Sequence, residues 1–156
     1  MCHHATEGSN RFGNRTGKEN LAMSEQKNTA LVQQAYGHFQ SGDIRAVLDT
    51  LSEDVQWVTA PVKEVPISGT WRGREQVGQF FESLSDIQEG RQFEPREFVA
   101  QGDRVVALGH YAWHVKSTGK GWESDFAHVF SVRDGKLTSF QEYADTAAIA
   151  EAFRES

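Results

Sequence analysis

Only one cysteine, Cys2, occurs in 156 residues, so an internal disulfide is impossible and a reducing compartment is compatible. No apolar leader and no long apolar run is present, which argues against secretion and membrane insertion and predicts a cytoplasmic protein. Basic residues are in deficit: 16 Lys and Arg stand against 22 Asp and Glu, a net charge of −6. A chain without a basic stripe is not expected to bind nucleic acid. Internal repeats and low-complexity segments are missing too. What the chain does have is a hydrophobic fraction of 38% with four Trp and ten Phe, enough at this length for one domain with a sizeable core.

The apolar content is unevenly spread. The first 22 residues, MCHHATEGSNRFGNRTGKENLA, hold few apolar groups and show no periodicity. Residues 1–23 are therefore predicted to be a disordered N-terminal extension, with the natural start at Met23 and the domain occupying residues 24–156. His3 and His4 have no third ligand near them in sequence, so no metal site is expected there.

From Ser24 the pattern turns helical. Leu31, Val32, Ala35, Tyr36 and Phe39 fall on one stripe, and Gly42 is a natural stop. Asp43 then caps a short helix with Ile44, Val47, Leu48 and Leu51 on its apolar side. A strand is predicted over 55–59, with Val55, Trp57 and Thr59 facing one way, followed by an aperiodic loop bounded by Pro61 and Pro66. After Gly69-Thr70-Trp71-Arg72-Gly73, a third helix carries Val77, Phe80, Phe81 and Leu84. Beyond Gly90 the remainder reads as strand: 93–101, 104–116, and a long hairpin over 122–143. Asp145 is placed to cap a closing helix over 146–154.

The long hairpin is the most informative stretch. In DFAHVFSVRDGKLTSFQEYAD (125–145), Asp134-Gly135 sits between two alternating runs, a strong hairpin signal. Period-two alternation puts Phe126, His128, Phe130 and Val132 on one face of the first strand, and Phe140 and Glu142 on one face of the second. Most of these side chains are core formers, yet His128 and Glu142 are titratable. Counting outward from the turn brings the two nearly opposite, with Cβ atoms roughly 4.5–5.5 Å apart. A carboxylate there would hold one imidazole nitrogen and raise its basicity, while burial opposes that. Such a pair suits general acid–base work on an enolisable carbonyl; equally, it can be a polar pair that satisfies itself in the core.

Three helices followed by hairpin-connected strands define an α+β arrangement, in which a curved sheet would wrap the helices and leave a conical cavity. The segments YGHFQSGDIRAVLDTLSEDVQWV, GTWRGREQVGQFFESL, DRVVALGHYAWHV and DFAHVFSVRDGKLTSFQEYADTAAI, taken in that order, resemble the nuclear transport factor two-like superfamily. Within it they are most similar to the SnoaL-like, ketosteroid-isomerase-like branch, and the likeness spans about residues 27–153. The resemblance implies a cone-shaped α+β barrel, with N-terminal helices packed in a strongly curved antiparallel sheet. For function it implies less, because one fold hosts many chemistries. Where ketosteroid isomerases carry an aspartate base this chain has Thr59, and their oxyanion-hole tyrosine matches Ala35, with Tyr36 about 100° further round the helix. Their protonated aspartic acid, a worked example of a carboxyl kept neutral, corresponds to His128. Against the Asp-Arg-Asp set of limonene epoxide hydrolases stand Gly109, Tyr111 and Glu142. SnoaL-like cyclases, which need no cofactor and use a pocket acid or histidine to deprotonate a carbon acid, resemble the chain better.

Two readings follow. The first is a cofactor-independent isomerase, cyclase or dehydratase acting on a small apolar or cyclic carbonyl compound, with His128 and Glu142 catalytic. The second is a non-catalytic small-molecule-binding or dimerisation module. In either, Tyr36, Trp57, Thr59, Tyr111, Trp113, Phe130 and Phe140 would line the ligand pocket, although Tyr36, Trp57, Tyr111 and Trp113 can also be read as ordinary core. His110 and His114 share the opposite face about 13 Å apart, too far for one metal ion, and no metal or cofactor is expected. Asp125 alternates away from His128. Arg72 and Arg74 read as salt-bridge formers. The outer face carries Ala112, His114, Ala127 and Val129, apolar enough to predict a homodimer through the sheet.

Overall fold

The computed structural model describes residues 2–155, with side chains described from Gly17 onward. The chain runs α1 (Cys2–Gln40), α2 (Ile44–Asp49), β1 (Leu51–Val58), β2 (Thr70–Arg72), α3 (Gly73–Ile87), β3 (Gln88–Gln101), β4 (Arg104–Val115), β5 (Gly121–Arg133), β6 (Lys136–Tyr143) and α4 (Thr146–Phe153). The strands form one sheet in the order β2-β1-β6-β5-β4-β3. All neighbours are antiparallel except β1 and β6, which are parallel. The fully antiparallel sheet expected from the sequence is thus corrected to a mixed one. The long hairpins stay antiparallel, but β1 docks beside β6 in the same direction after the chain has crossed through α3.

Local chemistry accounts for the boundaries. The α1 helix breaks at Gly42, whose φ of 79° suits glycine. Asp43 caps α2 by accepting a bond from the Ala46 amide at 3.1 Å, and Asp145 does the same for α4 through Ala148 at 3.1 Å. The β5–β6 loop is the two-residue type expected: Asp134 and Gly135 take φ of 52° and 74°, and Arg133 pairs with Lys136. Thr70–Arg72, read as the lead-in to α3, forms a short strand, and two strand starts lie well before their expected places. The first strand starts at Leu51 rather than 55, and β3 starts at Gln88, directly out of α3, rather than at 93. Arg72 and Arg74 bond to Gln56 Oε1 and the Leu51 carbonyl rather than to carboxylates.

The N-terminal segment also departs from the sequence reading, because α1 extends back to Cys2 instead of beginning near Ser24. No proline interrupts residues 2–40, although Gly8, Gly13, Gly17 and Gly37 lie within them. Apolar packing, whose absence led to the expectation of disorder, is not required for helical backbone, and Leu21 and Met23 are indeed exposed. Among the described side chains, hydrogen bonds to the β3–β4 turn begin with Glu25, which accepts from the Gly102 amide at 2.8 Å, and Asn28, which donates to the Gly102 carbonyl. The Cys2, His3 and His4 side chains lie outside the described residues. Among the described residues, no helix is long and apolar enough to cross a membrane.

The sheet bends around α1 and α3. Register shifts at Gly90/Gln92 and Pro95/Glu97 on β3 put bulges opposite β4, and bulges increase local twist and bend. Gly109 sits in that bend with no room for a side chain. A Cβ there would meet the Glu94 carbonyl, and Phe126 Cζ would lie only 2.6 Å away. Inside the curve, Val32, Ala35 and Tyr36 from α1 and Val77, Phe80 and Phe81 from α3 are buried against Trp57, Phe130 and Phe140. A second cluster, with Tyr111, Trp113, Trp122 and Phe126, closes under Ile149 of α4. The result is a cone with helices at its mouth.

Candidate functional site

Between the two clusters lies a cavity of about 110 Å³. The residues expected to line it, Tyr36, Trp57, Thr59, Tyr111, Trp113, Phe130, Phe140, His128 and Glu142, are all in its wall. Val55 and Trp57 share the inward face of β1, with Thr59 buried just beyond its end, and alternation brings Tyr111 and Trp113 inward from β4. His128 and Glu142 are register partners on β5 and β6.

His128 is almost wholly buried, at 4% exposure. Its ring lies flat on Phe126, with centroids 4.1 Å apart, and meets the Phe140 ring at an angle of 63°. Nδ1 is 2.7 Å from the Tyr36 hydroxyl. Nε2 is 3.8 Å from Glu142 Oε2, beyond hydrogen-bond reach, and has no partner in the protein. Glu142 has two donors of its own: the Ala60 amide gives to Oε1 at 3.0 Å and the Tyr111 hydroxyl to Oε2 at 2.8 Å.

The charge states follow from these contacts. Burial lowers the His128 pKa below its usual 6.5, and the Glu142 charge recovers only part of that. Burial would raise Glu142, but His128, the Ala60 amide and the Tyr111 hydroxyl outweigh it and hold the carboxyl below 4.5. Burial, reinforced by the Glu142 charge, keeps both tyrosine hydroxyls protonated. Near neutrality the site is thus a neutral imidazole beside a carboxylate. A carboxylate facing Nε2 favours the tautomer with hydrogen on that nitrogen, which leaves Nδ1 to accept from Tyr36.

Ala35 and Tyr36 both line the cavity, although about 100° apart round α1, and the Tyr36 hydroxyl reaches His128. The tyrosine side chain is long enough to cover an angle that would exclude a shorter residue. The Ala60 amide was not foreseen, because a backbone donor at a strand end leaves no residue-type signal. Thr59 is in the wall, but its hydroxyl accepts from the Gly69 amide at 3.0 Å and so is committed to holding the 61–69 loop. On the outer face, His110 Nδ1 is 2.9 Å from the exposed Asp125 and Nε2 is 3.5 Å from Glu123. Among the described residues, no group of three or more His, Cys, Asp and Glu side chains is placed to hold a metal ion.

The comparisons with known proteins agree with this fold. The family model described as a SnoaL-like domain matches residues 32–140. An NTF2-like protein from Burkholderia xenovorans LB400 is 36% identical, covering 85% of this chain and 99% of its own, with a TM-score of 0.77. TerC, co-crystallised with polyporic acid, is 29% identical over 81% of this chain and 98% of its own, with a TM-score of 0.69. A protein from Xanthomonas campestris pv. campestris, provisionally designated a polyketide cyclase, is 25% identical over 83% and 98%, with a TM-score of 0.68. Curated proteins include no match. From the matched domain, the cone and its buried pocket, the chain belongs to the SnoaL-like family of the NTF2-like superfamily.

Proposed function

We propose that the chain is a cofactor-independent acid–base enzyme that moves a proton at a carbon next to a carbonyl, on a small apolar or cyclic compound held in the cone. Isomerisation, cyclisation and dehydration all begin with that step. The observation that carries the reading is the unclosed His128–Glu142 pair. A pair serving only the core would close to a hydrogen bond and satisfy both partners. Here the imidazole Nε2 stays unpaired, 3.8 Å from a carboxylate, on a residue that lines an apolar cavity.

Proton transfer runs through Tyr36 in this reading. The substrate C–H bond breaks and its electron pair delocalises onto the carbonyl oxygen as an enolate. The proton goes to Tyr36 Oη while the tyrosine's own hydrogen passes to His128 Nδ1, 2.7 Å away. The imidazolium so formed faces the Glu142 carboxylate, which stabilises it. Reversal delivers the proton to another carbon, or to a departing hydroxyl. Catalysis is by His128, with Tyr36 as conduit and Glu142 as counter-charge. Trp57, Tyr111, Trp113, Phe130 and Phe140 shape the pocket. The polyporic acid held by TerC supports a small-molecule occupant here.

The test is exchange of α-protons of 1-tetralone in D2O, followed by NMR. Wild-type protein should accelerate exchange about 100-fold or more over buffer, the range general acid–base catalysis supplies. Tyr36→Phe and His128→Ala should bring it back to the buffer rate. Exchange no faster than buffer, with 1-tetralone shown to bind, leaves the second reading, a small-molecule-binding module.

A further inference from the structure

We propose that Tyr111 is a positioning residue: its hydroxyl, with the Ala60 amide, holds the Glu142 carboxylate just beyond hydrogen-bond reach of His128 and so keeps the imidazole free to take a proton. This rests on the proton-transfer reading above and adds what keeps its pair apart.

One oxygen stands between the two partners. Glu142 Oε2 accepts from the Tyr111 hydroxyl at 2.8 Å and lies 3.8 Å from His128 Nε2. The other oxygen, Oε1, accepts from the Ala60 amide at 3.0 Å. A carboxylate oxygen has lone pairs enough for Tyr111 and His128 together, so a pair answering only to burial would close and satisfy Nε2. Yet Nε2 has no partner among the described residues.

Two rigid donors account for the gap. The buried Tyr111 ring is wedged among Phe126 at 4.8 Å, Trp122 at 5.2 Å and Trp113 at 6.2 Å between centroids. A phenol oxygen lies on the ring axis, so a ring fixed by packing fixes Oη as well. The Ala60 donor is backbone. Glu142 is therefore clamped by one bond on each oxygen. His128 cannot come to meet it, because its ring is stacked on Phe126 and tied through Nδ1 to Tyr36.

Titratable side chains face His128 from three elements: Tyr36 on α1, Tyr111 on β4 and Glu142 on β6. Both tyrosines stay protonated, so the charge that His128 meets is that of Glu142. A carboxylate closed onto Nε2 would favour the imidazolium in the resting protein and leave the base already occupied. At 3.8 Å the hydrogen bond is lost, whereas Coulomb attraction, falling only as the inverse of distance, still steadies the imidazolium once it forms.

The test compares wild type with Tyr111→Phe, which keeps the ring and removes the donor. Full-length protein with ¹⁵N-labelled histidine is titrated by NMR from pH 8 to 5, and His128→Gln assigns the signal. In Tyr111→Phe the carboxylate should close onto His128, moving the Nε2–H proton downfield at pH 7. The ring should then take up its proton about one pH unit higher than in wild type, as for one hydrogen bond to a charged group. The acid limb of 1-tetralone exchange should move with it. In a Glu142→Gln background the same replacement should have much less effect, because the charge that Tyr111 restrains is gone. Unmoved His128 signals in Tyr111→Phe would overturn the proposal. So would an equal movement in the Glu142→Gln background, or a uniform fall in exchange with its acid limb in place. His128 shifts without any wild-type exchange would leave the role of Tyr111 standing and remove the catalytic reading.

Discussion

At the scale of residues, the site is a short chain of polar atoms set in aromatic surroundings: Tyr36, His128, Glu142 and Tyr111, with the Ala60 amide at its end. Acidification should weaken the fold through it. His128 has a lowered pKa when folded, so between that value and 6.5 the unfolded chain binds more protons and stability falls as pH drops. Glu142 is also lowered, so its contribution is present above 4.5 and is lost as pH falls through its folded value. Melting temperature measured from pH 7 to 5 should decline, and His128→Gln should flatten that slope. An unchanged slope in the variant would mean that His128 is not held neutral. The pair itself was legible in the sequence, because period-two alternation and a two-residue turn place His128 opposite Glu142 without any structure. The gap between them was not. Register fixes backbone opposition, while the 3.8 Å separation depends on Tyr36, Tyr111 and Ala60 reaching in from three other segments.

At the scale of elements, the bend at β3 and β4 makes room for the cavity. Gly109→Ala should destabilise the protein by about 1–3 kcal/mol, the usual range for overpacking, because its Cβ would collide with the Glu94 carbonyl and the Phe126 ring. Chemical denaturation checks this, and an unchanged midpoint would show that the bend relaxes freely. Since Phe126 stacks on His128, exchange activity should fall with it. Helix α4 lids the cone through Ile149 and Phe153. Removing its cap with Asp145→Ala should cost about 1 kcal/mol. Elements with their own punctuation, such as Asp43, Asp145 and Asp134-Gly135, were readable in the chain. The start of β3 was not, because α3 passes into strand at Gln88 with no turn residue to mark it. Nor was the parallel β1–β6 contact, which joins segments about eighty residues apart and leaves no local trace.

At the scale of the whole molecule, the outer sheet face stands beside the pocket as a second candidate site. We propose that the outer sheet face forms a homodimer. Leu108, Ala127 and Tyr143 lie in one row across β4, β5 and β6, with Leu108 and Tyr143 exposed. Light scattering should give twice the chain mass, and Ala127→Arg should give monomer; a wild-type monomer would remove the interface. Deleting residues 1–22 should shift the melting temperature by under about 2 °C, since Leu21 is exposed and, among the described side chains, hydrogen bonds to the β3–β4 turn start at Glu25. A larger drop would show that the segment docks. The central claim, that His128 and Glu142 act as one proton-transfer unit in the cone, is tested most directly by a double-mutant cycle. Exchange of 1-tetralone α-protons and melting temperature are measured together on wild type, His128→Ala, Glu142→Gln and the double variant. The expected result is folded proteins throughout, exchange lost in each single variant, and little further loss in the double, as for residues working as a unit. Single variants that melt early yet keep wild-type exchange would contradict it.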